Sequence, residues 1–328
     1  MKITRVKVSN FKSFDELDIE LRDLNIVIGA NASGKSNFLE IFRFHRDVSK
    51  DGLENAVSIQ GGMEYLANVR AGADVPVSLV LSSGDLFWPQ CLARSSEAPW
   101  FRQLKYQFFA DKDQFAKLSH GLDLAIFDFD PKLPKKAAPL TGKADLDPDG
   151  NNLAIVLRAI LQDEERRKRL TLLVQDLLPF ITDLKVDRFA DKSLVISAKE
   201  SFSRESYLPA SFLSDGTIHL TALVLALYFD KAPIVIIEEP ERHLHPHLIS
   251  KVAAMLADAS KQKQVIVTTH NPELVKHARL EDLLLVHRDA DGFSRIIRPA
   301  ENEQLKAFLE NDLGVEDLYV QDLLGIGG

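Results

Sequence analysis

Eight residues, Gly29 to Ser36, constrain this chain more than any others: they read G-A-N-A-S-G-K-S, between an apolar β-branched segment and an amphipathic one. Ile26, Val27 and Ile28 predict a buried strand, and Phe38, Leu39, Ile41 and Phe42 recur at helical spacing just beyond the loop. A strand, a small-residue loop and a helix in that order make a phosphate-binding loop. Gly29 and Gly34 let backbone N–H groups turn inward, and the helix beginning near Lys35 points its positive end at the same anion. In this pattern Lys35 reaches the β- and γ-phosphates and the Ser36 hydroxyl ligates Mg²⁺.

The 328 residues, 45% of them hydrophobic, suffice for one large domain or two ordinary ones. No apolar run approaches the ~20 residues of a membrane span, and the opening MKITRVKVSN lacks an apolar signal segment. The expectation is a cytoplasmic protein with no membrane partner. A lone cysteine, Cys91, excludes an internal disulfide and reads as a buried thiol. The net charge of −8 argues against holding nucleic acid by bulk electrostatics. The densest basic run, Arg166 to Arg169, follows Asp163, Glu164 and Glu165, so pairs such as Glu164 with Lys168 make it a solvated helix face.

Along the chain, residues 3–21 predict two short strands around a turn at Asn10 to Ser13. Strands are also expected at Val77 to Leu81 and Leu104 to Phe109, with an irregular surface excursion at 82–100, where Pro, Ser and aromatics mix without a period. The Pro-, Asp- and Lys-dense stretch from Phe127 to Gly150 reads as a lobe boundary. It divides the chain into a core lobe (1–140 and 230–328) and a smaller helical lobe (141–229). Helical periodicity runs from Asn151 to Leu178, followed by strands at Leu184 to Phe189 and Leu194 to Ala198 and a helix after Ser214. Two unbroken apolar strands, Pro233 to Ile237 and Val265 to Thr269, flank a helix from His247 to Ala259. They imply an α/β fold with a parallel sheet covered on both faces.

Three downstream motifs narrow the chemistry. LSDGT, Leu213 to Thr217, sets Ser214 at a helix N-terminus with the N–H groups around Gly216 turned toward an anion. IVIIEEPE, Ile234 to Glu241, ends a buried strand in two carboxylates at the sheet edge where open α/β sheets bind ligands. Glu238 there would hold Mg²⁺ through water, and Glu239 would orient or deprotonate an attacking water. VIVTTHNPEL places His270 at the end of the neighbouring strand, within reach of a γ-phosphate or that water. The alternating His243, His245 and His247 read as a loop or dimer contact, since Pro246 and the preceding acids disfavour a metal site.

Together VSNFKSF, GANASGKSN, LDPDGNNLAIVL, LSDGT, EEPERHLHP, TTHNPEL and the closing GVEDLYVQDLLG resemble the ABC-type P-loop ATPases. The branch is that of the SMC, RecF and OLD proteins, and the group is the AAA-family ATPases with a head domain and no long coiled coil. The resemblance implies a single ABC-type ATPase domain over 1–328, with a mixed or parallel core sheet. It implies ATP and Mg²⁺, nucleotide held by Gly29, Asn31, Ala32, Ser33, Gly34, Lys35, Ser36 and Asn37, and metal held by Ser36 and Glu238. Glu239 then corresponds to the catalytic glutamate and His270 to the switch histidine. Nucleotide would be sandwiched between two heads, Lys35 and Ser36 of one facing Ser214 and Gly216 of the other, with Glu241 to His247 crossing the interface.

The chain departs from the family pattern in places. Glu238 stands where aspartate is commoner, Asp215 replaces a glycine of the signature loop, and Asp128 or Asp130 takes the place of the usual glutamine. The resemblance nominates the Asn10 to Phe14 loop for adenine contacts. The function expected is ATP hydrolysis gating a homodimer, a switch read by a partner. DNA, in a repair ATPase of the RecF or SMC type, and a separately encoded effector, in a phage-defence or toxin system, are the alternatives.

Overall fold

The computed structural model describes residues 2–301 apart from 69, 71–74, 85, 96–97, 104–122, 143–144, 190–191 and 204–205. Its centre is a six-stranded sheet in the order β15-β14-β3-β13-β12-β7. The strands are β3 (Leu24–Ile28), β7 (Leu124–Phe127), β12 (Ile234–Glu238), β13 (Gln264–Thr269), β14 (Leu283–Arg288) and β15 (Ser294–Ile297). All pair in parallel except the β14–β15 hairpin at one edge. β3 and β13 are buried at every residue, as strands covered on both faces must be, which explains their unbroken apolar runs.

A second, antiparallel sheet runs β2-β1-β4-β5-β6, with β1 (Arg5–Phe11), β2 (Phe14–Glu20), β4 (Val77–Ser83), β5 (Leu86–Ser95) and β6 (Ala98–Gln103). The expected irregular excursion at 82–100 is thus largely strand. β4 offers β5 a ladder from Val77 opposite Leu92 to Ser83 opposite Leu86, and Pro89 is accommodated opposite Val80. Tertiary pairing overrode the local Pro and Ser signal. Cys91 lies on β5, its side chain outside the described residues; the expected strand at Leu104 to Phe109 and the closing GVEDLYVQDLLG also lie outside them.

Three helices cluster between the two halves of the core sheet in sequence: α4 (Leu153–Leu161), α5 (Glu164–Leu177) and α6 (Asp215–Tyr228). An antiparallel sheet packs with them, in which β10 (Ser193–Glu200) pairs β9 (Ile181–Phe189), β8 (Ala138–Pro139) and β11 (Tyr207–Pro209). The helix pair α4–α5 breaks at Asp163, whose carboxylate caps α5 by accepting from the Arg166 N–H. The basic run on α5 serves the fold. Arg166 and Arg169 lie over the Phe229 ring, Arg167 meets Asp183, and Lys168 meets Glu164 at i,i+4. α6 is apolar all round and buried from Thr217 to Leu227, and its Leu223 and Leu225 join a core that also contains Ile26, Val235 and Val267.

α1 (Lys35–Asp51) follows β3 and buries Phe38, Leu39, Ile41, Phe42 and Phe44 beside the antiparallel sheet. α7 (Pro246–Ala259) and α8 (Pro272–Lys276) follow β12 and β13. Two short helices, α2 (Leu53–Ile59) and α3 (Met63–Leu66), extend α1. Among the described residues no helix is long and apolar enough to cross a membrane.

Candidate functional site

β3, β13 and β12 are neighbours in the sheet, so the loops after them meet at one carboxyl edge. The first is residues 29–34. Ala32 and Gly34 take left-handed backbone angles, φ +63° and +118°, and a Cβ on Gly34 would collide with the Ser294 side chain. A Cβ on Gly29 would run into the Val286 carbonyl. The loop is held from outside by the β14–β15 hairpin: the Ser294 hydroxyl reaches the Ser33 carbonyl at 2.6 Å, and Arg288 Nε donates to the Ala32 carbonyl at 3.0 Å. α1 begins at Gly34 with no side-chain cap, so its first-turn N–H groups present an anion-binding end.

Lys35 donates from Nζ to the carbonyls of Gly29 (2.6 Å) and Ala30 (2.9 Å). Burial pulls its pKa below the ordinary lysine value, against the opposing pull of Glu239 and Glu241. Ser33 is 3% exposed and its hydroxyl has no partner, an orphan inside the loop. Asn31 and Ser36 are exposed, and Asn37 turns back to donate to the Ser13 hydroxyl at 2.8 Å. The cradle that added methyl groups would fill and the uncapped helix end fit a bound phosphate.

The two carboxylates after β12 have separate surroundings. Glu238 pairs with Arg43 of α1, which also donates to Glu40 at 2.6 Å. Burial outweighs Arg43 and raises the Glu238 carboxyl above its usual range. Glu239 sits at φ +46° with both oxygens engaged: Oε1 lies 2.5 Å from His270 Nδ1, and Oε2 accepts from Arg242 Nε at 3.0 Å. Burial pushes this carboxyl up, but Arg242 and His270 outweigh it and leave it below the usual range. Arg242 in turn donates to Asp128 at 2.8 Å. Among the described residues no three His, Cys, Asp or Glu side chains cluster as a metal cage. A hydroxyl and one carboxylate suit Mg²⁺, which takes much of its shell from water and phosphate.

The motifs nominate Lys35, Glu239 and His270, which the structure brings to the ends of adjacent strands, and give no sign of what surrounds them. Arg43 is 195 residues from Glu238, and Arg242 is 114 from Asp128, with no local signal for either pair. Lys12 and Ser13, from the nominated Asn10 to Phe14 loop, border a cavity of about 640 Å³ beside Asn37, whose further walls include Tyr65, Arg70 and Phe293.

The turn expected to serve as the signature loop, Leu213 to Thr217, leads into α6. Ser214 caps α6, its hydroxyl accepting from the Thr217 N–H at 3.0 Å, and Asp215 pairs with Lys135. A Cβ on Gly216 would stand 3.1 Å from the His243 carbonyl, so the loop after β12 packs directly on the signature turn. Both border a second cavity of about 580 Å³, together with His245 and His247, whose Nδ1 atoms are 2.7 Å apart.

A family model described as "AAA domain, putative AbiEii toxin, Type IV TA system" matches residues 92–276, and one described as "AAA ATPase domain" matches residues 1–69. The chain is 30% identical over 125 residues to the DNA replication and repair protein RecF of Lactococcus lactis subsp. lactis, covering 34% of each chain. It is 36% identical over 84 residues to the OLD nuclease of Thermus scotoductus, covering 25% of this chain and 16% of that one. These alignments span about a third or less of the curated relatives' lengths. Among solved structures, an SMC head bound to the C-winged helix domain of ScpA superposes with a TM-score of 0.63 at 18% identity, covering 90% of this chain and 98% of that one. The SMC head domain from Thermotoga maritima gives 0.52 at 18% identity, covering 91% and 99%.

Proposed function

The chain belongs to this AAA domain family, as an ABC-type P-loop ATPase of the branch that includes SMC heads, RecF and OLD proteins, and from that premise we propose that it hydrolyses Mg²⁺-ATP to gate a head-to-head homodimer. The observation that carries the reading is the convergence of Lys35, Glu239 and His270, from loops after three adjacent strands, beside an uncapped helix end.

The roles follow from the surroundings. Residues 29–34 and the start of α1 would hold the phosphates by backbone N–H groups, with Asn31, Ala32 and Ser33 in the loop and Asn37 behind it. Lys35 would exchange the Gly29 and Ala30 carbonyls for phosphate oxygens, a change that a desolvated ammonium favours. Ser36 and Glu238 would hold Mg²⁺, which when bound neutralises phosphate charge. Glu239 would take up or orient the proton of the attacking water, and His270, in contact with it, would hold the carboxylate in place. The cavity bordered by Lys12, Ser13, Tyr65 and Phe293 has the aromatic and cationic walls that suit a nucleoside.

Ser214 and Gly216, beside the loop 241–247, would meet the nucleotide of a second copy, so that ATP closes the dimer and its hydrolysis opens it. The output of such a switch is a partner that reads open against closed. The RecF relatives favour DNA as that partner, and the toxin-system description of the family favours a separately encoded effector.

The test is solution mass by light scattering for Glu239→Gln with and without Mg²⁺-ATP. A nucleotide-dependent doubling of mass, lost in a Ser214→Arg background that still binds ATP, is the expected result. ATP bound without any change in mass would overturn the gated dimer.

A further inference from the structure

Glu241 takes no part in the roles above, yet it is 5% exposed in the middle of the site. Its Oε1 accepts from the Thr269 hydroxyl at 2.5 Å, and its Oε2 has no partner. Burial pushes the carboxyl above its usual range. A carboxyl buried with one oxygen orphaned costs stability that a leucine of similar volume would not. Packing alone does not account for it.

Its position does. Thr269 is fully buried at the end of β13, and its oxygen accepts the Asn271 N–H at 2.9 Å; Asn271 then caps α8 by accepting from the Glu273 N–H at 2.9 Å. His270 lies between these two tethered residues, its ring against Glu239. On the other side Glu241 opens the loop 241–247: its carbonyl accepts from the Leu244 N–H at 3.1 Å, and the His243 carbonyl beyond lies close against Gly216. One continuous set of contacts therefore runs from the signature turn through the loop to Glu241, Thr269 and the His270–Glu239 pair.

We propose that Glu241 is a positioning residue: through Thr269 it fixes the turn that carries His270, and so links the surface that this chain presents to a second copy with the catalytic pair of its own site. The link rests on the functional reading of Glu239 and His270 given above. It predicts that a displaced signature turn moves His270 even though the two are on different elements.

Two pairs of near-isosteric variants test it. Thr269→Val removes the hydroxyl and Thr269→Ser restores it; Glu241→Leu removes the acceptor and Glu241→Gln keeps one. In nucleotide-free protein that remains cooperatively folded, the imidazole NMR signals of His270 should move in Thr269→Val and Glu241→Leu and stay in place in Thr269→Ser and Glu241→Gln. With Mg²⁺-ATP, kcat should fall about 10- to 100-fold in the first two, with the nucleotide Kd unchanged in Thr269→Val, as expected when a reacting group is misplaced. The double variant Thr269→Val/Glu241→Leu should be no worse than either single one, because both break one link. Unmoved His270 signals in folded Thr269→Val, or a serine that fails to rescue, would overturn the proposal. Hydrolysis unaffected by His270→Ala would instead overturn the role of His270, while the NMR comparison still decides the tether.

Discussion

α1 and α6 each begin at a loop that the sequence marks as facing a phosphate, and their first turns are built in opposite ways. α1 starts from Gly34 at φ +118° with no side-chain cap, and its loop is held in shape by Ser294 and Arg288 from a distant hairpin. α6 starts from Ser214 in extended conformation, whose own hydroxyl takes the Thr217 N–H. The first end is a receptor prepared in the single chain. The second is already satisfied, so a phosphate meeting it has to share or replace an existing cap. In the proposed dimer, that asymmetry would suit a nucleotide bound first by one chain and contacted by the other only on closure.

The largest expected effect tests the receptor end. Lys35→Ala should lower kcat/KM for ATP by about 100-fold or more in a phosphate-release assay, since the charge opposite the phosphates is lost. Turnover unchanged by this substitution would remove α1 as the nucleotide site. Next, Gly34→Ala should destabilise the fold by about 1–3 kcal/mol, because the residue sits at positive φ and the methyl meets Ser294. Denaturant unfolding would measure the loss, and nucleotide binding should weaken with it. The same change at Gly216, which has ordinary φ and a 3.1 Å neighbour, should cost less.

Acid should then distinguish the bodies of the two helices from their ends. Each carries a buried histidine: His45 on α1, its pKa pushed down by burial to about 3, and His219 on α6, pushed down to about 4. His219 Nε2 stands 2.9 Å from the Pro240 carbonyl, which can only accept, so the neutral ring carries its proton there. Both folded values lie below the unfolded value near 6.5, so the unfolded chain binds more protons and stability falls as pH drops below about 6.5. The slope is about 1.4 kcal/mol per pH unit for each ring, down to about pH 4 for His219 and about pH 3 for His45. His45→Leu should remove roughly half of this acid sensitivity in pH-dependent melting; an unchanged slope would show that His45 is not the buried neutral group described. The smallest effect is that of Ser214→Ala, about 1 kcal/mol of helix-cap stability, with ATP affinity of the monomer unchanged. A large loss of monomer affinity would break the division of labour between the two helix ends.

Much of the fold was legible because its signals are local. The strand, loop and helix around Gly29 to Ser36 are consecutive in sequence, and β12 and β13 declare themselves by unbroken apolar runs. The segment around Pro89 misled for the same reason: local Pro and Ser content spoke against a strand, and only the presence of β4 as a pairing edge made one. The site divides in the same way. Motif residues stand out by their neighbours in sequence, whereas Arg43, Ser294 and Glu241, and Arg242 toward Asp128, act through partners that no spacing announces.

The sequence by itself determined that a phosphate-binding turn would form and which strand ends would carry the acids and the histidine, because backbone conformation and burial pattern are set within a few residues. Only the tertiary structure decided how those groups are held: Arg43 against Glu238, Arg242 between Glu239 and Asp128, Glu241 beneath Thr269. Such pairs span 28 to 195 residues except where Arg242 turns back on Glu239. They follow from the order of strands in the sheet, which brings loops distant in sequence to one edge and buries their charges together.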